Sequence, residues 1–243
     1  MKKGSFIIAM FLVAVIFSTN AYASPKAKEK KKDSKWVILF DGTNTDAWRD
    51  AHSDHFPTQG WKIEGNVLTV LAKTETTPAG KDIVTKKLYS NFELELEINL
   101  TEGANSGIKY FVSDKFPGYE GQYLGLEFQL IDDQRHPDAK LGRDGNRTMA
   151  SLYDLIPANK NKKANPPGQW NKVKLVVTGT HVEHWLNGKK VLEFDRSSDE
   201  FRKLVTMSKY KDFKNFGEIP EGHILLQGHS DQVSFRNIRI KVL

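Results

Sequence analysis

The chain has 243 residues, a formal net charge of +6 and no cysteine. The charge excess is confined to the N-terminus. Eight lysines of residues 1–35 face only Glu29 and Asp33 there, which leaves 28 basic and 28 acidic residues from Trp36 onward. A neutral domain lacks the basic surface that nucleic-acid binding requires, and a chain without cysteine has neither disulfides nor a thiol nucleophile.

The first 23 residues are typical of a secretory signal peptide. Lys2 and Lys3 precede an apolar run at residues 6–17 that is too short to span a bilayer comfortably, and Ala21 and Ala23 are small enough for a signal peptidase. We expect cleavage after Ala23 and a periplasmic or otherwise exported protein without a stable membrane span. An uncleaved anchor is the alternative; a lipoprotein is excluded because the chain has no cysteine.

Residues 24–35 form the second segment, and six of them are lysines. Dense like charge with few apolar residues predicts a basic, disordered tether. The remaining residues, 36–243, contain no linker-like stretch, so we expect them to form a single domain.

Alternating apolar and polar residues predict a series of short strands from residue 36 onward. The predicted strands are 36–40, 60–71 with a turn at Glu64-Gly65-Asn66, 92–100, 106–112, 124–132, 170–194 as a three-strand meander, 223–229 and 232–243. Asn187-Gly188 within the meander is typical of a type I′ hairpin, whose two turn residues both need positive φ. Many short strands joined by turns indicate an all-β protein built as a two-sheet antiparallel sandwich.

One short helix is predicted near residues 198–208. Ser197 and Glu200 have the spacing of a capping box, and Phe201, Leu204 and Val205 follow at helical intervals. Residues 133–169 have few alternating segments and are predicted to form a long loop, which in a compact domain is often functional.

Several familiar catalytic sites lack support in the sequence. "HVEH" at 181–184 lies on a predicted strand, where residues three apart face opposite sides, so a zinc site is not expected there. The chain has no HExxH, GxSxG, P-loop or GxGxxG pattern.

Polar residues on strands are the remaining candidates. Glu127 and Gln129 share one face of their strand, and Gln227 and His229 share one face of theirs. Asn105 and Lys109 flank the "NSGIKY" segment. These groups could converge on a site that supplies an acid, a base and hydrogen-bond donors, or they could form an ordinary solvated sheet face.

Aromatic residues offer a second kind of candidate. Trp61 and Trp170 could stack on sugar rings, as could Tyr119, Tyr123 and Tyr153, although most aromatic residues belong to cores. Trp185 is expected to serve packing.

An ordered set of motifs covering residues 35–243 resembles the 3-keto-disaccharide hydrolase domain family. The motifs are "WVILFDGTNTDAWR", "GWKIEGNVLTV", "NSGIKYFV", "GLEFQLIDD", "RTMASLYDLIPA", "GQWNKVKLVVTGTHVEHWLNGKKVLEF" and "GHILLQGHSDQVSFRNIRI". The resemblance implies a concanavalin-like (laminin-G-like) jelly roll of the kind exported by Bacteroidota. It also implies action on 3-keto-glycosides, whose C3 hydroxyl a separate sugar 3-oxidoreductase has oxidised.

The resemblance and the strand pattern together give a predicted site. The catalytic candidates are Glu127, His229, Gln129 and Tyr153, with Glu127 or His229 as base or acid, Gln129 as hydrogen-bond donor and Tyr153 as donor to the oxyanion or leaving group. The substrate-binding candidates are Asn105, Lys109, Asp132, His136, Asp231, Trp61 and Trp170. Relatives often carry an acid where this chain has Gly228.

The expected chemistry follows from the ketone. A C3 ketone acidifies the C2 proton, so a base can form an enediolate that expels the C1 aglycone by β-elimination, and water can then add to give net hydrolysis. This route needs no strong nucleophile. No cofactor is predicted, although a divalent metal bound by Glu127, Asp132 and His229 is an open alternative.

Two other functions are compatible with the same sequence. The chain could be a non-catalytic carbohydrate-binding module, because jelly rolls serve lectins as well as enzymes. It could also be a structural envelope protein that touches the cell surface through its lysine tether.

Overall fold

The computed structural model describes Met1 and residues 35–243. Residues 2–34, which hold the predicted signal peptide and almost all of the predicted tether, lie outside the described residues. The strands are β1 (Trp36–Phe40), β2 (Trp48–Asp50), β3 (Trp61–Glu64), β4 (Val67–Val70), β5 (Ile83–Thr85), β6 (Phe92–Leu100), β7 (Asn105–Ser113), β8 (Leu124–Ile131), β9 (Asn171–Thr178), β10 (His181–Leu186), β11 (Lys189–Asp195), β12 (His223–Leu226) and β13 (Val233–Val242). One α-helix, α1, spans Asp199–Thr206, and a 3₁₀ helix spans Pro137–Lys140.

The strands form two antiparallel sheets. The large sheet has eight strands in the order β11-β10-β9-β6-β13-β4-β3, with β1 also paired to β13. The small sheet has five strands in the order β2-β5-β12-β7-β8. This arrangement confirms the predicted all-β jelly-roll sandwich. In the part of the chain that the structure describes, no helix is long and apolar enough to cross a membrane.

The core lies between the sheets because their inner faces are apolar at alternate positions. On β6, Phe92, Leu94 and Leu96 are buried while the glutamates between them are half-buried on the outer face. On β8, Leu126 and Phe128 point into the same core. Successive side chains of a strand point to opposite faces, so the residues that alternate with these buried positions on β8 lie on the outer face of the small sheet.

The predicted hairpin is confirmed in its backbone. Asn187 and Gly188 have φ of 50° and 78°, the positive values that a type I′ turn requires. The turn joins β10 to β11 and sets their register at the edge of the large sheet.

The predicted helix cap is wrong by one residue. The hydroxyl of Ser198, not Ser197, accepts the backbone N–H of Phe201, at 3.1 Å. Ser197 is engaged elsewhere, because its hydroxyl donates to the carboxylate of Asp195 at 2.6 Å. The capping-box spacing of Ser197 and Glu200 therefore misplaced the start of α1.

The predicted strand 223–229 is too long. β12 ends at Leu226, and the chain then turns so that the N–H of Gly228 donates to the Asp82 carboxylate at 2.9 Å. A Cβ at position 228 would lie 1.9 Å from the carbonyl oxygen of Gly80, so this close approach requires glycine. Gln227 and His229 consequently do not share a strand face, and His229 projects from a loop.

Candidate functional site

The candidate site lies on the outer face of the small sheet, around Glu127. β8 buries Phe128, whose ring lies 4.6 Å from that of His184 in the core, so its neighbours Glu127 and Gln129 point to the opposite face. In the register with β7, Lys109 lies opposite Glu127 and Gly107 lies opposite Gln129. The predicted sharing of one face is therefore confirmed for Glu127 and Gln129, and Lys109 lies on the same face.

The free edge of β8 is covered by part of the segment that was predicted as a long loop. The N–H of Ala150 donates to the carbonyl of Gln129 at 2.8 Å, and the N–H of Tyr153 donates to the carbonyl of Glu127 at 3.0 Å. These backbone bonds extend the sheet by a short irregular stretch. They bring Tyr153 beside Glu127 although the two are 26 positions apart in the chain.

Glu127 is a buried carboxylate without a partner. Its residue is 5% exposed, and among residues 35–243 its carboxylate accepts no hydrogen bond and has no ion-pair partner within 4.0 Å. It packs over Gly107, where a Cβ would lie 2.3 Å from its Oε1. Burial raises the pKa of Glu127, and the positive charges of Lys109 and Lys209 partly offset this rise. A base with a raised pKa is suited to proton abstraction near neutral pH.

Lys209 is a site residue that the sequence pattern missed. It follows α1, and its backbone N–H donates to Asp154 at 2.8 Å. Its Nζ lies 4.2 Å from the centroid of the Tyr153 ring and 5.1 Å from that of Tyr210. Although the residue as a whole is exposed, desolvation of its ammonium lowers the pKa of Lys209, while the nearby Glu127 raises it.

A cavity of about 270 Å³ opens next to this cluster. It is lined by Lys109, Leu124, Gly125, Lys209, Tyr210 and Phe213. Both lysines therefore border a space in which a small molecule could contact their ammonium groups.

Gln129 and Asn105 form a buried polar pair on the same face. The Nε2 of Gln129 donates to Oδ1 of Asn105 at 3.3 Å, while Oε1 of Gln129 is buried without a partner. The backbone N–H of Asn105 donates to Asp231 at 2.9 Å. An unpaired buried oxygen is costly to the fold. The carboxylate of Asp231 therefore serves to hold the backbone of Asn105 and is not presented to a ligand.

The predicted donor role of Tyr153 does not fit the geometry. Its hydroxyl donates to Oδ2 of Asp138 at 2.9 Å, and Arg147 bridges Asp138 and Asp154 at 2.7 and 2.8 Å. Burial and the bond to Asp138 raise the pKa of Tyr153, so its proton stays on this network. Its ring instead forms one wall for the Lys209 ammonium.

His229 lies at the open side of the cluster. It is exposed and, within the described residues, forms no hydrogen bond through its ring. Its charge and that of Asp82 both act on Glu127, His229 lowering its pKa and Asp82 raising it. His229 is therefore accessible to a ligand that enters from solvent.

Asp132 and His136 were predicted as substrate ligands, and in the structure both side chains form contacts within the fold. Asp132 accepts the backbone N–H groups of Gly103 and Gln134 at 2.9 and 3.0 Å and pairs with Arg135. The ring of His136 accepts the N–H of Asp138 at 3.1 Å and caps the 3₁₀ helix. Both side chains are used to hold the turn that follows β8.

The two predicted sugar-stacking tryptophans also lie elsewhere. Trp61 is 9% exposed, packs beside Phe235 in the core and donates its indole N–H to the carbonyl of Lys81 at 2.8 Å. Trp170 immediately precedes β9 of the large sheet, and the Arg236 guanidinium covers its ring at 4.0 Å. Neither is part of the cluster around Glu127.

The predicted metal ligands do not assemble either. Among residues 35–243, Glu127, Asp132 and His229 do not form a group whose ligand atoms all lie within 4.8 Å of one another. His181 does form such a group with Glu183 and Glu193 on the other sheet, but Lys190 pairs with both glutamates at 3.2 and 2.6 Å.

The two histidines of "HVEH" face opposite sides, as predicted. His184 is fully buried between the hydroxyl of Tyr110 and the carbonyl of Ala150, both at 2.9 Å, while His181 is exposed. Burial lowers the pKa of His184 to about 4. His184 is therefore a neutral core residue.

A larger cavity of about 540 Å³ lies on the large sheet, next to Trp185. Trp185 is half-buried there under the Lys174 ammonium, so its expected packing role is fulfilled on the outer surface and not in the core. The acids of this cavity are paired, since Glu95 binds Arg239 at 2.5 Å and Glu97 binds Arg236 at 2.6 Å. They are less suited to proton transfer than the unpaired Glu127.

Comparison with known proteins connects the chain to one family. Residues 35–241 match the family profile described as the 3-keto-alpha-glucoside-1,2-lyase-like domain. The chain is 36% identical over 229 residues to a 3-keto-disaccharide hydrolase of Bacteroides thetaiotaomicron. The alignment covers 86% of this chain and 78% of that relative.

Two solved structures support the same grouping. Both are candidate glycosyl hydrolases from Parabacteroides distasonis ATCC 8503, with TM-scores of 0.73 and 0.66 and sequence identities of 27% and 29%. Each covers 86% of this chain, and the matches span 94% and 100% of those chains.

Proposed function

Because the chain belongs to the 3-keto-alpha-glucoside-1,2-lyase-like family, we propose that it cleaves the glycosidic bond of 3-keto-glycosides by removing the C2 proton and expelling the C1 aglycone. Membership of this family makes the protein a carbohydrate-active enzyme. Release of a 3-keto-glycal, or of the 3-keto-sugar after water adds, completes the proposed reaction.

The observation that carries the proposal is the unpaired, buried carboxylate of Glu127. Elimination needs a base at C2 whose proton affinity is raised, and burial raises the pKa of this carboxylate. It also needs positive charge where the oxyanion develops on C3, and the ammonium groups of Lys109 and Lys209 border the adjacent cavity. His229, on the solvent side, is proposed to protonate the departing aglycone oxygen.

The polar pair of Gln129 and Asn105 is proposed to orient the sugar. The unpaired Oε1 of Gln129 can accept one sugar hydroxyl, which satisfies a buried acceptor and fixes the ring relative to Glu127. We propose no cofactor for this reaction, because two lysines already supply the charge that a metal ion would otherwise provide.

A non-catalytic binding module is less well supported by this site. A sugar-binding surface relies on exposed aromatic platforms, whereas Trp61 is buried and the ring of Trp170 is covered by Arg236. A binding module also gains nothing from a buried, unpaired carboxylate, which costs stability.

The cellular setting is part of the proposal. The N-terminal pattern of residues 1–23 supports export to the periplasm or beyond. A ketone at C3 must be made by oxidation of the sugar, so we propose that a separate sugar 3-oxidoreductase supplies the substrate.

The direct test compares a 3-keto-glucoside with its unoxidised parent. We expect the mature protein to release the aglycone from the ketone and not from the parent. Release from the parent alone would instead indicate a glycosidase that uses two carboxylates, and binding of both without release would indicate a binding module.

A further inference from the structure

Lys209 has an environment that differs from that of an ordinary surface lysine. Among residues 35–243, no carboxylate lies within 4.0 Å of its Nζ, which instead lies against the faces of Tyr153 and Tyr210. Aromatic faces stabilise a positively charged nitrogen. The backbone of Lys209 is held by Asp154, and its side chain lines the cavity beside Glu127.

We propose that Lys209 acts as a nucleophile that forms a protonated imine with the C3 ketone of the substrate. The inference rests on the proposed function and deepens it, since it assigns a covalent step to the same site. A lysine amine reacts with ketones when it is held without its proton, and desolvation together with a neighbouring cation favours that state. Desolvation of the ammonium, together with the nearby Lys109, lowers the pKa of Lys209, whereas the charge of Glu127 raises it.

The proposed steps balance without an oxidant or reductant. The amine of Lys209 adds to C3, and the ketone oxygen takes up one proton from solvent and leaves as water, which gives a protonated imine. Glu127 removes the C2 proton, and the electron pair of that C–H bond forms a C2=C3 double bond while nitrogen becomes neutral. The resulting enamine breaks the C1–O bond, the aglycone oxygen takes a proton, and a C1=C2 double bond forms. Water then hydrolyses the imine, which frees Lys209 and the 3-keto-glycal.

The separation of Lys209 and Glu127 suits these steps. C2 and C3 are bonded neighbours, so the nucleophile and the base must approach adjacent atoms without neutralising each other. The ammonium of Lys209 is near enough to lower the pKa of Glu127 but lies more than 4.0 Å from its oxygens. The two tyrosine faces that contact the ammonium would equally stabilise the cationic imine.

Lys209 is favoured over Lys109 for this role. Lys109 extends from the middle of β7, directly opposite Glu127 in the sheet register. Lys209 comes from the loop after α1 and carries the aromatic contacts that a cationic imine requires. Lys109 is left to stabilise the negative charge that develops on the ketone oxygen while the amine adds.

Reductive trapping tests the inference. The mature protein is incubated with 3-keto-glucose and cyanoborohydride, and its mass and modified peptide are determined. We expect one reduced sugar attached at Lys209, with irreversible loss of activity that requires both reagents. Lys209→Arg should lose the adduct and most of its turnover. The matched control Lys203→Arg, on exposed α1, should keep both, and thermal melting checks that each variant is folded.

The other outcomes separate the two proposals. Turnover of a 3-keto-glucoside without an adduct, or with the adduct on Lys109, overturns the imine at Lys209 and leaves the proposed function standing. Full turnover by Lys209→Arg overturns the imine as well. A wild-type protein that cleaves no 3-keto-glucoside overturns the proposed function and the imine together.

Discussion

The carboxylate of Glu127 is costly to the fold and useful to the proposed reaction for the same reason. A buried carboxylate that accepts no hydrogen bond binds a proton more tightly than one in water, so its pKa rises. The same proton affinity makes it a stronger base toward the C2 proton of a ketone. Burial of this carboxylate costs the fold free energy. The positive charges of Lys109, Lys209 and His229 limit that cost, because they partly offset the desolvation of Glu127.

Glu127→Gln tests the catalytic role of this residue. The amide keeps the shape of the side chain but cannot take a proton, so turnover of a 3-keto-glucoside should fall by about 10²- to 10⁴-fold. Glu200→Gln, on the exposed first turn of α1, is the control and should leave turnover unchanged. Wild-type turnover by a folded Glu127→Gln variant would place the base elsewhere.

The same substitution should affect stability in the opposite direction. Because the folded state raises the pKa of Glu127, the carboxyl group destabilises the fold progressively as pH rises from its ordinary pKa of about 4.3 through the raised value. Glu127→Gln removes the buried charge and should raise the melting temperature at neutral pH. This gain should disappear below about pH 4, where the wild-type group is protonated in both states. A gain that does not change with pH would show that ionisation of Glu127 is not its cause.

At the scale of strands and turns, the sequence predicts elements well and their faces only in part. Alternation located β6 and β8 and placed Glu127 and Gln129 on the same strand face, because a period of two is a geometric property of any strand. It could not tell that Trp61 points into the core, because the inner and outer faces of a strand are equivalent until its partner sheet is known. The early end of β12 was missed because a close approach of Gly228 to Gly80 depends on tertiary packing.

Gly107 on β7 provides a test at this scale. Gly107→Ala would place a Cβ 2.3 Å from Oε1 of Glu127, so the carboxylate must move and turnover should fall while the sheet remains paired. Kinetics of the single and double variants measure this coupling. In a Glu127→Gln background the second substitution should reduce turnover little further. Additive losses would mean that Gly107 acts on the strand and not through Glu127.

The site as a whole draws on segments that are distant in the chain. β7, β8, the stretch around Tyr153, the loop with Lys209 and the loop with His229 all contribute to it. Family motifs pointed to Glu127, Gln129 and His229 as candidates, but Lys209 lies in "SKYKDFKNF", which begins at the end of the predicted helix and is outside the motifs quoted for the family. Its one local signal is the run of aromatic and lysine residues after α1, and only the fold shows that this run faces Glu127.

Export concerns the whole chain and can be measured directly. When the full chain is expressed with its own N-terminus in a Gram-negative host, the mature protein should be found in the periplasmic fraction with Ser24 as its first residue, because the small residues Ala21 and Ala23 direct cleavage there. Intact-mass measurement identifies the N-terminus. A chain that keeps residues 1–23 and stays with the membrane would support the uncleaved anchor instead.

The central claim, that Glu127 removes the C2 proton next to a C3 ketone, is tested most directly without a leaving group. In the 3-ketone of 1,5-anhydroglucitol, C1 carries no aglycone, so proton removal in D₂O appears by NMR as exchange of hydrogen for deuterium. We expect the wild-type protein to accelerate exchange at C2 and not at C4, although both carbons adjoin the ketone, and Glu127→Gln to abolish this acceleration. Exchange at C2 no faster than in buffer, or equally fast with Glu127→Gln, would contradict the account.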